Sequence, residues 1–243
     1  MYDKPLFLPA GDQAVVVELG DDISPETNRR VRDLTVAVDA AALAGVYDLM
    51  PTYRSLLIYY DPLAISYSGL LEKLENIEKN LNEASLDSPQ VVRIPTLYGG
   101  EHGPDLEFVA RNAGISTDEV VDIHTGADYL IYMMGFSPGF PYLGGLSEKL
   151  HTPRLQTPRT EIPAGSVGIA ESQTGVYPVA SPGGWRLIGR TPVKMFDQDK
   201  EPPSLLAAGD YIRFVPLAGE EEYLDILGRV ESGDYVVSRD SIS

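Results

Sequence analysis

The stretch Ile162–Pro192, IPAGSVGIAESQTGVYPVASPGGWRLIGRTP, holds the densest set of residues suited to chemistry. Within it, Ser181-Pro182-Gly183-Gly184-Trp185 carries two consecutive glycines, whose backbone N–H groups can turn inward as a nest for an anion. Ser166, Gln173, Tyr177 and Ser181 supply neutral polar groups that could orient an amide or a lactam. Just upstream, HTPRLQTPR (His151–Arg159) places Arg154 and Arg159 in two Pro-Arg steps. Each proline fixes its own φ and so biases how the next arginine is presented. Two guanidinium groups there, completed by Arg190 after Gly189, could clamp a carboxylate or phosphate. Structural ion pairs are the competing use of such arginines. Trp185, the only tryptophan, is expected in the core because of its large apolar area.

A second feature is GFSPGFPYLGG (Gly135–Gly145), a loop whose glycines and prolines constrain its backbone path. Its Phe136, Phe140 and Tyr142 could wall an apolar pocket. The three histidines, His102, His124 and His151, lack the i, i+4 spacing of a helical metal pair, and cysteine is absent, so no metal is expected. His124 falls near a predicted helix C-terminus, where the dipole favours its charged form. It reads first as a cap and second as a proton carrier. No phosphate-binding loop, GxSxG elbow or kinase signature occurs in the sequence.

The charge distribution singles out the same region. The chain carries a net charge of −17 over 243 residues, which makes nucleic acid and anionic membranes poor partners. Residues 136–192 depart from this: Lys149, Arg154, Arg159, Arg186 and Arg190 face only Glu148, Glu161 and Glu171. A positive island in an acidic chain suggests an anion site or an acidic partner. No apolar run approaches the roughly 20 residues that span a bilayer. The first ten residues lack a long apolar stretch, so no export signal is expected and the cytoplasm is the simplest location.

Two textures organise the chain. Before residue 85 the order reads strand (Ala14–Glu18), helix, strand (Gly45–Met50), strand (Ser55–Asp61), helix. Ser24-Pro25 starts the first helix, which carries Val31, Leu34, Val38 and Ala42 on one face. The second carries Leu70, Leu74, Ile77 and Leu81. Such an α+β unit resembles a ferredoxin-like half. Asn82–Gln90 is polar and reads as a linker. Beyond it, Val91–Tyr98 reads as a strand, and a helix with Leu106, Val109 and Ala110 stops at Gly114. Ser116 and Glu119 form a capping box for another, which ends near His124 with Gly126 as C′ residue. Residues 135–192 hold ten of the 23 glycines and eight of the 19 prolines. Short apolar runs between them, Ser166–Ala170 and Gly175–Ala180, predict a β-rich barrel or sandwich. Asp210–Leu217 is a further strand, and Glu220–Leu227 reads as helix.

The motifs GDQAVVVELG, YGGEHGPDLEFVA, GFSPGFPYLGG, TPRLQTPRTEIPAGSVGIA and QTGVYPVASPGGWRLIGRTP resemble the carboxyltransferase domain, subdomain C and D family, from about Gly11 to Gly228. The resemblance implies an α+β N-terminal domain over 1–88, followed by a mainly-β cyclophilin-like barrel domain over 89–243. For activity it implies the B subunit of an ATP-dependent 5-oxoprolinase, converting 5-oxo-L-proline to L-glutamate beside an A subunit plus a homologous C subunit. Such a protein is expected to be inactive alone, with ATP used in the complex and neither metal nor biotin on this chain. The same family leaves two alternatives open: an inhibitor of a histidine kinase, and the carboxyltransferase part of a biotin-dependent urea carboxylase-like system.

The lactam chemistry sets the expected roles. A five-membered lactam is a poor electrophile, and phosphorylating its oxygen would polarise it for attack by water. Arg154, Arg159 and Arg190 are then expected on anion contacts, and the Gly183-Gly184 turn as backbone donors. Gln173, Tyr177 and Ser181 would orient the lactam, with His124 as proton carrier.

Overall fold

The computed structural model describes residues 2–81 and 88–241. The chain divides into two compact units, Met1–Asp87 and Ser88–Ser243. Residues 82–87 of the expected linker lie outside the described residues.

The first unit runs β1 (Leu6–Pro9), β2 (Ala14–Glu18), α1 (Pro25–Ala40), β3 (Val46–Pro51), β4 (Ser55–Tyr60) and α2 (Tyr67–Lys79). Its antiparallel sheet has the order β1-β2-β4-β3. Alternation in the two central strands sends Val15 and Val17, with Leu56 and Ile58, to one face. There they meet Val31, Leu34 and Val38 of α1 and Leu70 and Leu74 of α2, in a core of their own. Each such aliphatic chain stabilises the unit by about 1.5–3 kcal/mol. α1 starts where expected: the Ser24 hydroxyl accepts from the Thr27 amide at 3.2 Å, and Pro25 occupies the first turn. Ala42, expected on the helix face, lies beyond the helix with φ of +43°. β1 was not anticipated; its Leu6 and Leu8 are exposed, so it lacks a buried pattern to read.

The second unit opens with β5 (Gln90–Tyr98), α3 (Leu106–Ala113), α4 (Thr117–Thr125), β6 (Tyr129–Met134) and β7 (Pro141–Gly144). It continues with β8 (Arg159–Ile162), β9 (Ser166–Ala170), β10 (Gln173–Val176), β11 (Ser181–Gly183) and β12 (Arg186–Arg190). β13 (Tyr211–Pro216), α5 (Glu220–Ser232) and β14 (Arg239–Ser241) complete it. The main sheet has the order β10-β9-β12-β5-β13-β6-β7, with β14 added on β5. β13 lies parallel to β5, and the other pairs are antiparallel. The end strands β10 and β7 come together, so the sheet curls into a nearly closed, barrel-like form. Ile94, Ile131, Ile169, Ile188 and Phe214 fill it, with Val109 and Val120 from α3 and α4 against them. β9, SVGIA, is buried along its whole length, as a strand covered on both faces must be.

Two local expectations differ from the structure. Gly126 closes α4 at φ of −78°, not in a left-handed conformation. The expected strand at Gly175–Ala180 begins earlier, at Gln173, and ends at Val176. The capping box of α4 is present: the Glu119 carboxylate accepts from the Ser116 amide at 2.9 Å, and the Ser116 hydroxyl accepts from the Glu119 amide. α5 runs on past the expected Leu227 to Ser232 and is closed by Gly233 at φ of +82°.

Candidate functional site

Outside the main core, Phe140, Ile162, Ala170, Tyr177, Trp185 and Leu187 form a separate cluster. Phe140 is its hub, meeting Phe136, Tyr142, Tyr177 and Trp185 edge-on at centroid distances of 5.5, 5.3, 5.8 and 6.0 Å. The Tyr177 and Trp185 rings also meet edge-on, at 6.0 Å and 79°. Edge-to-face rings hold each other at fixed angles, so their faces stay open to a hollow instead of collapsing into a stack. That hollow, about 170 Å³, is walled by the five rings, with Arg154 and Gln173 as its non-aromatic polar side chains and Pro182–Gly184 completing the wall.

The glycines are needed by packing. A Cβ on Gly183 would lie 2.6 Å from the Tyr177 Oη and 2.8 Å from the Ile162 Cδ1, and one on Gly175 would lie 3.2 Å from the Trp185 ring. Phe136 has φ of +64° and is 72% exposed, so a bulky residue occupies a left-handed conformation at the mouth of the hollow. Its loop is tied down by backbone bonds: the Gly135 amide donates to the Phe140 carbonyl at 3.1 Å, and the Phe140 amide to the Ser137 carbonyl at 3.0 Å.

Burial pushes the Tyr177 hydroxyl up to about 12, against the opposing pull of Arg154 and Arg159. Tyr177 therefore stays protonated at neutral pH and serves as a hydroxyl donor or acceptor, not as a base. Arg154 is exposed and makes no hydrogen bond or ion pair among the described residues. Two hydroxyl oxygens on segments adjoining the wall, Ser137 Oγ and Ser181 Oγ, are buried without a hydrogen-bond partner.

The three-arginine clamp does not assemble. Only Arg154 lines the hollow. Arg159 is committed: its Nη2 reaches Asp105 Oδ2 at 2.9 Å and its Nη1 donates to the Trp185 carbonyl at 3.2 Å. Arg190 donates from Nε to the Ala164 carbonyl at 2.9 Å. It stands at the far end of β12, five residues beyond Trp185 and so roughly 16 Å along the strand. Gln173, Tyr177, Gly183 and Gly184 do come together around Arg154, and Ser181 precedes the wall as the first residue of β11.

His124 is placed elsewhere, inside the barrel core. It is fully buried between Tyr98, whose Oη is 2.8 Å from Nδ1, and Thr174, whose Oγ1 is 2.7 Å from Nε2. Thr174 gives its own proton to the Gly168 carbonyl at 3.1 Å, so the network assigns the proton to Nε2 and leaves Nδ1 to accept from Tyr98. Burial lowers its pKa to about 3. The expected charged form at the helix end is thus overturned by desolvation, which outweighs the dipole, and the ring is a neutral link between α4, β5 and β10.

Sequence reading missed Asp105. It precedes α3 in the usual capping position yet makes no cap bond. Instead its carboxylate accepts from Arg159 and, at 2.8 Å, from the Leu187 amide, with Arg186 at 3.7 Å. Nothing local marks a partnership spanning 54 residues. Among the described residues no group of three or more His, Asp or Glu could hold a metal ion. No described helix is long and apolar enough to cross a membrane.

The fold and the hollow define a mostly-β, barrel-like protein that carries an aromatic pocket walled by glycine. The chain belongs to the carboxyltransferase domain, subdomain C and D family, whose pattern matches residues 5–206. It is 40% identical over 223 residues to the 5-oxoprolinase B subunit of Bacillus subtilis (strain 168), covering 88% of this chain and 92% of the relative. With the 5-oxoprolinase B subunit of Escherichia coli O157:H7 the identity is 41% over 209 residues, covering 85% and 93%. The solved urea carboxylase of Kluyveromyces lactis superposes with a TM-score of 0.78 at 22% identity, over 98% of this chain and 24% of that one. The last likeness concerns fold alone.

Proposed function

We propose that this chain is the B subunit of an ATP-dependent 5-oxoprolinase complex, which opens 5-oxo-L-proline to L-glutamate together with an A subunit plus a homologous C subunit. The observation that carries the reading is identity near 40% along about nine-tenths of bacterial proteins of that name. The hollow supports it, because a cation, a neutral amide, a hydroxyl donor and backbone N–H groups suit a carboxylate-bearing lactam. In keeping with the family, we assign residues 1–88 to a ferredoxin-like half and 89–243 to a cyclophilin-like barrel domain, and place the protein in the cytoplasm.

The chemistry explains the need for ATP. Transfer of the terminal phosphoryl group to the lactam oxygen makes the ring carbon electrophilic. Water then adds to that carbon and the ring C–N bond breaks as the nitrogen takes a proton, leaving the open-chain acyl phosphate; a second water hydrolyses it to glutamate and phosphate. In this scheme Arg154 meets the substrate carboxylate, and Gln173, Tyr177 and the Gly183-Gly184 wall orient the ring amide. Arg159 acts as a positioning residue through the Trp185 carbonyl, and Arg190 and His124 act structurally. The test is to assemble the complex with and without this chain and follow ATP-dependent glutamate release from 5-oxo-L-proline. Release should require the chain; undiminished release without it would sink the assignment.

A further inference from the structure

We infer that the hollow is a single-occupant site for a small cyclic amide bearing one carboxylate, and that the nucleotide is bound outside it. The inference rests on the proposed function and deepens it, by dividing the two substrates between different places.

Size is the first argument. Pockets for drug-sized ligands run to roughly 300–1,000 Å³. The hollow encloses about 170 Å³, room for one five-membered ring and its carboxylate but not for a nucleoside triphosphate.

Charge is the second. A triphosphate needs several cations or a run of backbone donors, whereas the hollow holds one uncommitted guanidinium, Arg154. Arg159, its nearest candidate helper, is already spent on Asp105. One carboxylate matches one guanidinium.

Nucleotide bases also stack between parallel aromatic walls, but here the Phe140, Tyr177 and Trp185 rings stand edge-on to one another and leave no parallel slot between those three.

The molecule provides its own reporter. Trp185 is the only tryptophan in the chain and lines the hollow, so its emission follows occupancy. With the full chain, titration by 5-oxo-L-proline should change Trp185 fluorescence saturably. The acid should bind about ten-fold or more tightly than 2-pyrrolidinone, the same ring without the carboxylate, and R154Q should erase that preference by weakening the acid. Magnesium ATP should neither change the emission nor displace the acid. Displacement by ATP, an unchanged affinity in R154Q, or no saturable response to the acid would each overturn the inference. Arg154 is exposed and unpaired, so R154Q should fold, which near-ultraviolet circular dichroism checks. If Trp185 stays silent while glutamate release by the complex still requires the chain, the hollow's role falls and the chain's place in the complex stands.

Discussion

At the scale of single residues the mouth of the hollow is held by a costly backbone. Phe136 adopts φ of +64° while 72% of its surface is exposed, so little burial offsets the conformation. The left-handed region costs an L-residue about 1–2 kcal/mol and glycine almost nothing, although glycine gives back about 0.5–1 kcal/mol through its freer unfolded chain. Phe136→Gly and Phe136→Ala remove the same ring, but only the first relieves the backbone. We expect Phe136→Gly to be the more stable of the two by about 1 kcal/mol in urea unfolding, while both weaken the lactam at Trp185. Equal stabilities would mean that the loop relaxes out of the left-handed conformation. Tyr177 belongs to the same scale: burial, the cause of its raised pKa, is also what makes it a fixed donor beside Arg154.

At the scale of elements, Asp105 joins three of them. Its amide donates to the Leu187 carbonyl at 2.9 Å while its carboxylate accepts from the Leu187 amide and from Arg159, which clasps the start of α3 to β12 and to β8. Arg159 in turn holds the Trp185 carbonyl, so the clasp sets one wall of the hollow. Replacing Asp105 by Ala strands a buried amide and a partly buried guanidinium, 29% exposed at its side chain. A charged hydrogen bond contributes about 1.5–3 kcal/mol and exposure trims this, so we expect a loss of about 2 kcal/mol in denaturant unfolding, with altered Trp185 emission. No change in either would show the clasp to be incidental. Elements with local signals were legible from sequence: β2 and the α1 start by their β-branched run and Ser-Pro cap, α4 by its capping box, β9 by its apolar run. The hollow was half legible, since Arg154, Gln173, Tyr177 and the two glycines do converge. That Arg159, Arg190 and His124 stand outside the hollow's lining was not legible, because their partners Asp105, Ala164, Tyr98 and Thr174 are brought to them by the tertiary fold, which composition does not encode. β1 escaped for the same reason: its existence depends on β2 and not on its own pattern.

At the scale of the whole molecule, stability against pH separates the acidic surface from the buried ring. The chain carries 36 acidic against 19 basic residues, and carboxylates change state mainly below about pH 5. Glu119, held ionised by its bonds to Ser116, has its pKa lowered, so its contribution is present above its unfolded value of 4.5 and fades only as pH drops further. His124 acts in a different window. Its pKa falls from 6.5 in the unfolded chain to about 3 in the fold, because burial penalises the charged ring. Above pH 6.5 the ring is neutral in both states and exerts no pH effect. Below it the unfolded chain takes up a proton that the fold refuses, so stability declines by about 1.4 kcal/mol per pH unit until the folded value is reached. His124→Gln removes one ionisable group and leaves the rest of the sequence unchanged, so the difference between the two proteins isolates the buried ring. His124→Gln should be less stable at about pH 7.5, by about 1–3 kcal/mol, because one of Tyr98 and Thr174 loses its partner. Between about pH 7.5 and 5.5, however, wild type should lose about 1.4 kcal/mol more than the variant in urea unfolding. Parallel losses would mean that His124 is protonated within the fold, and the neutral link between α4, β5 and β10 would have to be abandoned.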